Sequence, residues 1–288
     1  MRKEKAYIAP SKESKTSIPD NCHNYKWRMI RWSFLICINF LFFASFHWDI
    51  QVLEGTLSAS RFLGFHLEDP FMAMQVMLAS KIVKIDLIIG LVSVILIYLI
   101  LGGRFFCSWV CPYHFFSEIG KMVNRFLSKK GFIKKNIKFN NNIKYYFFVL
   151  FLLLTYITGF KLFETINPVA ILSRSIVYGP GLILSWVILL FLFEIFFSRQ
   201  AWCRYLCPVG VSYSLIGRIS LLKIKCDTNK CSNCGKCFSV CINPIVLSHP
   251  VNGDKTNYVL SGECTRCGLC IDTCKDGALK YHYSFPLI

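Results

Sequence analysis

Long apolar runs alternate with short polar and basic segments along the first two thirds of the chain. Four runs carry almost no charged residues: 29–48, 82–101, 145–163 and 181–197. A helix needs about 20 mostly apolar residues to cross the hydrocarbon core of a bilayer. The pattern therefore predicts four transmembrane helices. The alternative, four buried helices of a large soluble core, does not explain why all four runs are so uniformly apolar.

Composition agrees with a membrane domain. Of the 288 residues, 54% are hydrophobic, and the mean hydropathy is +0.46, which is too apolar for an ordinary soluble protein. The formal net charge is +17. A basic excess is also found in nucleic-acid-binding proteins, but here the basic residues lie between the apolar runs, which suits membrane topology better. We therefore expect lipid, and no nucleic acid, as a partner.

The basic residues also predict the orientation of the helices. Lysine and arginine are concentrated before the first run, between the second and third runs, and after the fourth. The segment between the first and second runs and the segment between the third and fourth runs carry few basic residues. These are Arg61, Lys81 and Arg174. Because cytoplasmic loops are enriched in basic residues, we expect a multi-pass protein of the cell inner membrane with both termini in the cytoplasm.

The two halves of the predicted membrane domain have related sequences. Asp69 and Asn167, each followed by proline, precede the second and fourth apolar runs, and a C-x3-C-P motif follows each run, starting at Cys107 and Cys203. This repetition predicts a two-fold internal repeat whose halves are related by an axis along the membrane normal.

Two runs of cysteines with the spacing C-x2-C-x2-C-x3-C follow the last apolar segment. This spacing is typical of bacterial ferredoxins with two 4Fe–4S clusters, in which the fourth cysteine of each run binds the other cluster. The predicted ligands are Cys231, Cys234, Cys237 and Cys274 for cluster one, and Cys264, Cys267, Cys270 and Cys241 for cluster two. Structural zinc is the alternative, but two copies of a four-cysteine run are less typical of it.

Each C-x3-C-P motif places two thiols one helical turn apart, Cys107 with Cys111 and Cys203 with Cys207. If the two halves are related by symmetry, the four thiols can converge into a soft-metal site or a redox dithiol pair. The structural alternative is two cysteines packed at each helix end. The sequence does not name the species bound.

Three cysteines belong to neither motif. Cys37 lies within the first apolar run and is expected in the core, whereas Cys22 and Cys226 are expected to be plain cytoplasmic thiols. Cys226 precedes the first ferredoxin run so closely that a role as an accessory ligand is considered as well.

The four predicted spans, the two C-x3-C-P motifs and the paired cysteine runs together resemble the NapH family, the ferredoxin-type membrane subunits of quinol dehydrogenases. The resemblance extends from about residue 28 to the end of the chain. It implies that the chain oxidises quinol and passes electrons to a NapG-like iron–sulfur subunit, a membrane cytochrome c, or both. The final acceptor would be a periplasmic reductase, with nitrate reductase favoured over a nitrous oxide reductase system.

Two other functions are compatible with these features. Related membrane polyferredoxins act as maturation or metal-reduction factors for respiratory metalloenzymes. A chain of this kind could also serve only as a membrane anchor for a partner, although eight cysteines with cluster-ligand spacing argue against that.

Quinol oxidation requires a base that accepts protons while electrons leave. A histidine near a carboxylate at the membrane surface would suit this role. The candidates on the predicted periplasmic side are His47, His66, Glu68 and Asp69, which could equally be solvated loop residues.

The sequence thus predicts three parts. Residues 1–28 form a cytoplasmic segment, residues 29–220 an all-α membrane domain with four transmembrane helices, and residues 221–288 a small α+β two-cluster ferredoxin-like domain. The predicted cofactors are two 4Fe–4S clusters, with a further metal considered at the C-x3-C-P cysteines.

Overall fold

The computed structural model describes residues 25–48, 53–56, 59–62, 65–82, 84–132, 137, 139–251 and 257–284. Most of the predicted N-terminal segment, including Cys22, lies outside the described residues, as does the side chain of His66.

Helices dominate the part of the chain before residue 220. Its elements, in chain order, are α1 (Lys26–His47), β1 (Leu53–Thr56), β2 (Ala59–Phe62), β3 (Phe65–Glu68), α2 (Pro70–Ser80), α3 (Ile85–Leu101), α4 (Phe105–Trp109), α5 (Pro112–Lys129), α6 (Ile143–Thr158), α7 (Leu162–Ile166), α8 (Pro168–Tyr178), α9 (Leu184–Phe196), a π-helical turn (Trp202–Leu206) and α10 (Pro208–Ile219). Strands β1, β2 and β3 form an antiparallel sheet in that order.

A helix occupies each of the four predicted spans, but only one of the described helices is long and apolar enough to cross a membrane by itself. This helix is α1, with 22 residues. Helices α3, α6 and α9 have 17, 16 and 13 residues. Helix α6 ends before the predicted residue 163 because Gly159 adopts a left-handed conformation with φ +70°. The four-span arrangement therefore stays a prediction.

Two shorter helices, α2 and α8, begin in the interior of the helical domain. Asp69 accepts a hydrogen bond of 2.8 Å from the backbone N–H of Phe71, and Asn167 accepts one of 3.1 Å from that of Val169. Each cap is followed by proline at the first helical position, where a missing N–H costs nothing. The caps are 7% and 2% exposed, so both helices start inside the protein rather than on a surface loop.

Aromatic side chains fill the space between these helices. Phe163 is fully buried and contacts Phe71 edge-to-face with 5.2 Å between ring centroids. Phe163 also stacks on Trp202, which belongs to the π-helical turn. Phe106 stacks on Tyr213 of α10 with 5.1 Å between centroids. This core holds the two C-x3-C-P segments against each other, because the motif cysteines pack on it.

The C-terminal part is a small α+β unit. Its elements are β4 (Leu222–Cys226), α11 (Lys236–Val240), a 3-10 turn (Pro244–Leu247), α12 (Ser248–Val251), α13 (Leu269–Thr273) and β5 (Leu279–Tyr283). Strands β4 and β5 pair antiparallel with Cys226 opposite Leu279. Helices α11 and α13 pack on each other. The α+β character agrees with the predicted ferredoxin-like domain, while the boundary at residue 221 stays a prediction.

This unit is attached to the start of α1. The backbone N–H groups of Trp27 and Arg28 donate to the carboxylate of Asp272 at 3.2 and 3.1 Å. The Trp27 ring contacts Tyr281 edge-to-face with 4.7 Å between centroids. The N-terminal end of α1 and the ferredoxin-like unit therefore lie at the same end of the protein.

Three glycines, Gly103, Gly217 and Gly262, form a stack in which α10 lies between the segment after α3 and the loop before Cys264. A methyl group on Gly262 would lie 1.9 Å from the carbonyl oxygen of Ser214, and one on Gly103 would lie 2.0 Å from that of Tyr213. Real carbon atoms cannot approach backbone oxygen so closely. The absence of side chains lets the cluster-binding loop contact α10 directly.

We expect Gly262→Ala to destabilise the protein by about 1–3 kcal/mol or more, because the clash is with backbone and must be relieved by moving the loop away from α10. Gly181→Ala is the matched control, since a methyl group there meets nothing within 4 Å. Thermal unfolding of both variants in detergent measures the difference. Equal midpoints would show that the two segments are not in contact.

Candidate iron–sulfur centres

The first ferredoxin run folds into a loop around a partly open cavity. Asn233 and Gly235 adopt left-handed conformations, with φ +51° and +71°, which reverse the chain before α11 begins. The cavity is lined by the thiols predicted for cluster one, namely Cys231, Cys234, Cys237 and Cys274. Cys274 comes from the second run, so the structure brings together residues that the sequence separates.

The second run repeats this geometry. Arg266 and Gly268 adopt left-handed conformations, with φ +50° and +75°, before α13. The loop surrounds a second, partly open cavity, whose lining includes the four cysteines predicted for cluster two, namely Cys241, Cys264, Cys267 and Cys270. The contact between α11 and α13 positions the fourth cysteine of each run next to the other loop.

Both cavities suit a bound cluster by their chemistry. Burial raises the pKa of the Cys237 thiol to about 12, and burial together with the nearby Cys267 raises that of Cys241. Thiolates gathered in such apolar surroundings are stable only when cations lie among them, because an unpaired buried charge is costly. Iron supplies that positive charge, and thiolates are its usual ligands in such centres.

The leftover cysteines differ from expectation. Cys37, predicted in the core, is exposed on α1, because α1 turns that face away from its neighbours. Cys226 is fully buried in β4 and lines the first cavity beside Cys231. Its position next to the cluster-one cysteines is a product of the pairing of β4 with β5.

The loop that carries the cluster-two cysteines is fixed to the helical domain. Ser108 Oγ donates to the carbonyl oxygen of Thr265 at 2.7 Å, and Trp109 Nε1 donates to that of Arg266 at 3.1 Å. The Arg266 guanidinium, 1% exposed as a residue, donates in turn to the carbonyl oxygens of Cys264 and Gly217. A short segment that includes Cys107 is therefore in direct contact with the cluster-two loop.

Glu263, next to Cys264, is the centre of a buried polar network. Arg104 Nη1 lies 2.8 Å from its carboxylate, and Lys144 Nζ also forms an ion pair with it. Tyr145 and Ser214 donate hydroxyl hydrogen bonds to the same carboxylate at 3.1 and 2.9 Å. Burial alone would raise the pKa of Glu263, but Arg104 and Lys144 lower it to about 2. This network ties the ferredoxin-like unit to three helical segments.

The four C-x3-C-P cysteines are brought together. Cys107 lies in α4 and Cys203 in the π-helical turn, while Cys111 and Cys207 directly precede α5 and α10. Both motifs end in a turn that is wider than an α-helical turn, because its hydrogen bond joins residues five apart. The N–H of Cys111 donates to the carbonyl oxygen of Phe106, and the N–H of Cys207 donates to that of Trp202. Such wide turns are frequent at functional sites.

Arg104 connects this group of thiols to the cluster-two loop. Its side chain contacts the thiol of Cys107 and donates to the backbone carbonyl of Cys203 at 3.0 Å, while it pairs with Glu263 on its other side. The guanidinium is 3% exposed as a residue. A buried cation is thus shared between the two sites.

The predicted quinol bases are not gathered into a site by the described residues. His47 is exposed at the end of α1, where its ring stacks on Phe43 with 4.1 Å between centroids. Glu68 ends β3 and is half-buried. Asp69 is not a solvated loop residue, the alternative considered from the sequence, because its carboxylate caps α2 and hydrogen-bonds with Tyr213. The side chain of His66 lies outside the described residues.

A histidine–carboxylate pair that the sequence analysis missed lies on α5. His114 and Glu118, four residues apart, face a partly open cavity that is also lined by Lys121 and by Cys267, one of the predicted cluster-two ligands. Arg31 forms a buried ion pair with Glu118. The spacing of His114 and Glu118 on one helix face was the signal available in the sequence, but only the fold places Cys267 beside it.

The titratable side chains of this cavity have pKa values that are shifted by their surroundings. Burial lowers the pKa of His114 to about 3, so the imidazole is neutral at pH 7, and Nδ1 has no hydrogen-bond partner among the described residues. Burial alone would raise the pKa of Glu118, but Arg31 brings it below its usual value. Burial lowers the pKa of Lys121 to about 8, and Lys121 donates to the carbonyl of Val240 at 2.9 Å.

Comparison with known proteins points to iron–sulfur binding in the part of the chain before the two ferredoxin runs, and to a family of ferredoxin-type proteins for the chain as a whole. A family model described as "4Fe-4S binding domain" matches residues 83–130 and 178–226, and each segment contains one C-x3-C-P motif. "Ferredoxin-type protein NapH" of Haemophilus influenzae is 34% identical over 268 residues, which cover 91% of this chain and 92% of the relative. The NapH protein of Escherichia coli is 32% identical, with 87% and 88% covered. This chain belongs to the NapH family of ferredoxin-type proteins. The similarity to these two NapH proteins extends over nearly the whole length of each chain.

This NapH-family chain is also similar to ferredoxin-type proteins of methylamine utilization. "Methylamine utilization ferredoxin-type protein MauN" of Paracoccus denitrificans is 34% identical over 242 residues, with 83% of this chain and 84% of the relative covered. No solved structure matches the chain. The comparisons show a ferredoxin-type electron-transfer protein with 4Fe–4S binding segments, shared by NapH and MauN relatives.

Proposed function

We propose that this NapH-family protein is a membrane electron-transfer subunit that oxidises quinol and passes the electrons through two 4Fe–4S clusters towards a periplasmic reductase. The observation that carries the proposal is the cavity on α5, where His114, Glu118 and Lys121 share one space with the cluster-two cysteine Cys267. A substrate that releases protons and electrons together needs both kinds of group within reach. This cavity replaces the periplasmic candidates as the proposed quinol site.

The ligands of the two clusters are proposed as the sequence predicts them. Cluster one is bound by Cys231, Cys234, Cys237 and Cys274, and cluster two by Cys264, Cys267, Cys270 and Cys241. The support is the lining of the two cavities, each of which draws one thiol from the other run. Each bound cluster would accept one electron at a time.

The residues of the cavity can orient a quinol headgroup. The unpartnered Nδ1 of the neutral His114 can accept a hydrogen bond from one hydroxyl. Glu118 stays ionised through Arg31 and is positioned to accept a proton as it leaves. Oxidation of one quinol to quinone releases two protons and two electrons. One proton passes to Nδ1 of His114 and the other to the Glu118 carboxylate, while each of the two clusters accepts one electron. The cavity is also lined by apolar side chains, among them Met122 and Leu269, and by the basic side chains of Arg28 and Arg125.

The membrane arrangement belongs to the same proposal. Large apolar side chains on the predicted spans face outward, among them Ile85 at 75%, Ile157 at 76% and Leu182 at 95% exposure. Apolar surface of this extent is unfavourable in water and suits lipid. We infer four spans with both termini in the cytoplasm, since the start of α1 contacts the ferredoxin-like unit through Asp272.

The proposed partners are a NapG-like iron–sulfur subunit, a membrane cytochrome c, or both, because the described residues show no site for a terminal acceptor. Nitrate reductase is the first candidate for the final reductase, on the similarity to NapH proteins, and a nitrous oxide reductase system is the second. The comparable similarity to MauN proteins means that the partner system must be identified by experiment.

A second candidate function is favoured by one observation. The four C-x3-C-P thiols form a soft-ligand group of the kind that binds copper(I), as a maturation or metal-reduction factor would require. In that case electrons would arrive from the cytoplasm through the ferredoxin-like unit, and quinol would not reduce the clusters.

The test is anaerobic reduction of the purified protein in detergent, followed by cluster absorbance and electron paramagnetic resonance after addition of a reduced quinol analogue. We expect His114→Leu to slow quinol-driven reduction at least about 10-fold, since a positioned base contributes about 10²–10⁴-fold to such reactions. Reduction by dithionite should be unchanged. His47→Leu is the matched control, because His47 is exposed at the far end of α1.

Two outcomes would contradict the proposal. Wild-type clusters that are reduced by dithionite but not by quinol would favour the maturation function. The second is slow cluster reduction by quinol in His47→Leu together with a wild-type rate in His114→Leu. This result would place the quinol site at the end of α1, as the sequence indicated.

A further inference from the structure

We propose that Cys107, Cys111, Cys203 and Cys207 bind a third 4Fe–4S cluster, separate from the two in the ferredoxin-like unit. Cys111 is 5% exposed, and the other three pack, partly buried, against the same aromatic core. Each of the six cysteine pairs in this group is close enough for electrostatic interaction. Four thiols that converge in the interior, two from each half of the chain, form a complete ligand set.

The surroundings of this group favour negative charge. The sulfur of Cys111 faces the backbone N–H groups of Tyr113 and His114 at the start of α5, and that of Cys207 faces the N–H of Gly210 at the start of α10. Helices α5 and α10 have 18 and 12 residues, so both present a positive N-terminal end. Arg104 adds a full positive charge at Cys107. A cluster held by four thiolates is an anion and matches these groups.

Four cysteine thiolates are ligands of zinc and of iron–sulfur clusters alike, so the iron content of the protein decides between the two.

The family comparison independently points to these cysteines. The segments that match the 4Fe–4S binding model, 83–130 and 178–226, contain both C-x3-C-P motifs and end before the first ferredoxin run. Besides the four motif cysteines, the matched segments contain only Cys226. Cys226 belongs to β4 and lines the cluster-one cavity instead.

The third cluster would lie next to cluster two. Arg104 contacts Cys107 and pairs with Glu263, the residue before the cluster-two ligand Cys264. Ser108, adjacent to Cys107, donates to Thr265 on the same loop. One electron can pass between the two centres with no bond made or broken and no proton transferred. The third cluster would thereby connect the ferredoxin-like unit with the helical core, the direction in which electrons must travel to reach a periplasmic acceptor.

The test counts iron and acid-labile sulfide in anaerobically purified protein. We expect about twelve irons per wild-type chain and about eight in the double variant Cys107→Ala/Cys203→Ala, because each 4Fe–4S cluster accounts for four. Cys37→Ala, a change at an exposed thiol outside all three sites, should keep about twelve. In the double variant, the resonance signals of the two ferredoxin clusters should persist, which shows that the protein is folded.

A wild-type count of about eight irons would overturn the assignment, whether or not zinc or copper accompanies it. A count of about ten would also overturn it, because it would indicate a two-iron centre. Iron counting needs no quinol, so this result is independent of the proposed function: a third cluster in a protein that quinol does not reduce would refute the quinol site alone.

Discussion

Replacement of Glu263 by glutamine is expected to destabilise the folded protein by about 3–5 kcal/mol, one of the largest effects of any single change outside the cysteines. The reason is the charge that remains. The Arg104 and Lys144 side chains are 4% and 6% exposed, and both form ion pairs with Glu263. A neutral amide would leave two buried cations without a counter-charge, and it would weaken the hydrogen bonds from Tyr145 and Ser214.

The measurement is thermal unfolding in detergent at pH 7. The pKa of Glu263 is lowered from 4.5 to about 2, so its contribution is fully present above pH 4.5 and is lost only as the pH falls towards 2. Measurement at pH 7 therefore detects the whole effect. Glu164→Gln is the matched control, since Glu164 pairs with the half-exposed Lys161 and Arg174, and we expect a change of at most about 1 kcal/mol.

The variant should also loosen the contact between the cluster-two loop and the helices, which faster hydrogen exchange of the backbone amides around Thr265 would report. Equal stability of the two glutamine variants would contradict the structure, because it would mean that Arg104 and Lys144 are hydrated rather than buried.

The double variant Cys231→Ala/Cys274→Ala is expected to lose one cluster, whereas Cys264→Ala/Cys274→Ala is expected to lose two. In the structure Cys274 lines the same cavity as Cys231, and Cys264 lines the other cavity. Two changes in one ligand set should cost about four irons, and one change in each set should cost about eight. The alternative, in which each run binds its own cluster, predicts the reverse order.

The two variants are matched controls for each other, because each lacks two cysteines and shares the change at Cys274. Iron content, measured together with the resonance spectrum of the dithionite-reduced protein, gives the result. Each loss is taken relative to wild type, so the outcome does not depend on whether a third cluster is present. An equal iron loss in both variants would show that removal of any two cysteines disrupts the whole ferredoxin-like unit.

Position along the chain explains which parts of the candidate sites the sequence could predict. The spacing of the cysteine runs was informative because a cluster-binding loop is local: three ligands lie within seven residues, and the left-handed turns at Asn233 and Gly235 belong to the same loop. The apolar runs predicted helices for a similar reason, because each helix is specified by its own residues. The exchange of Cys241 and Cys274 between the cavities followed from a known spacing rule.

Other features depended on contacts between distant residues. Glu263 meets Arg104 from 159 residues away and Lys144 from 119 residues away, and neither pair has a local signature. Asp69 precedes a proline in a segment that reads as a surface loop, yet it turns inward because α2 and α10 pack together and bring Tyr213 to it. Local sequence could not show this, since it depends on which helices become neighbours.

The sequence by itself determined that this protein has apolar helices, a distribution of basic residues suited to membranes, two ferredoxin-type cysteine runs and two related C-x3-C-P motifs. Only the tertiary structure decided that the four motif thiols converge, that Arg104 joins them to the cluster-two loop, and that His114 shares a cavity with Cys267. The physical reason is that helix formation and loop ligation are satisfied within short segments, whereas buried charges and shared cavities exist only once distant segments have packed.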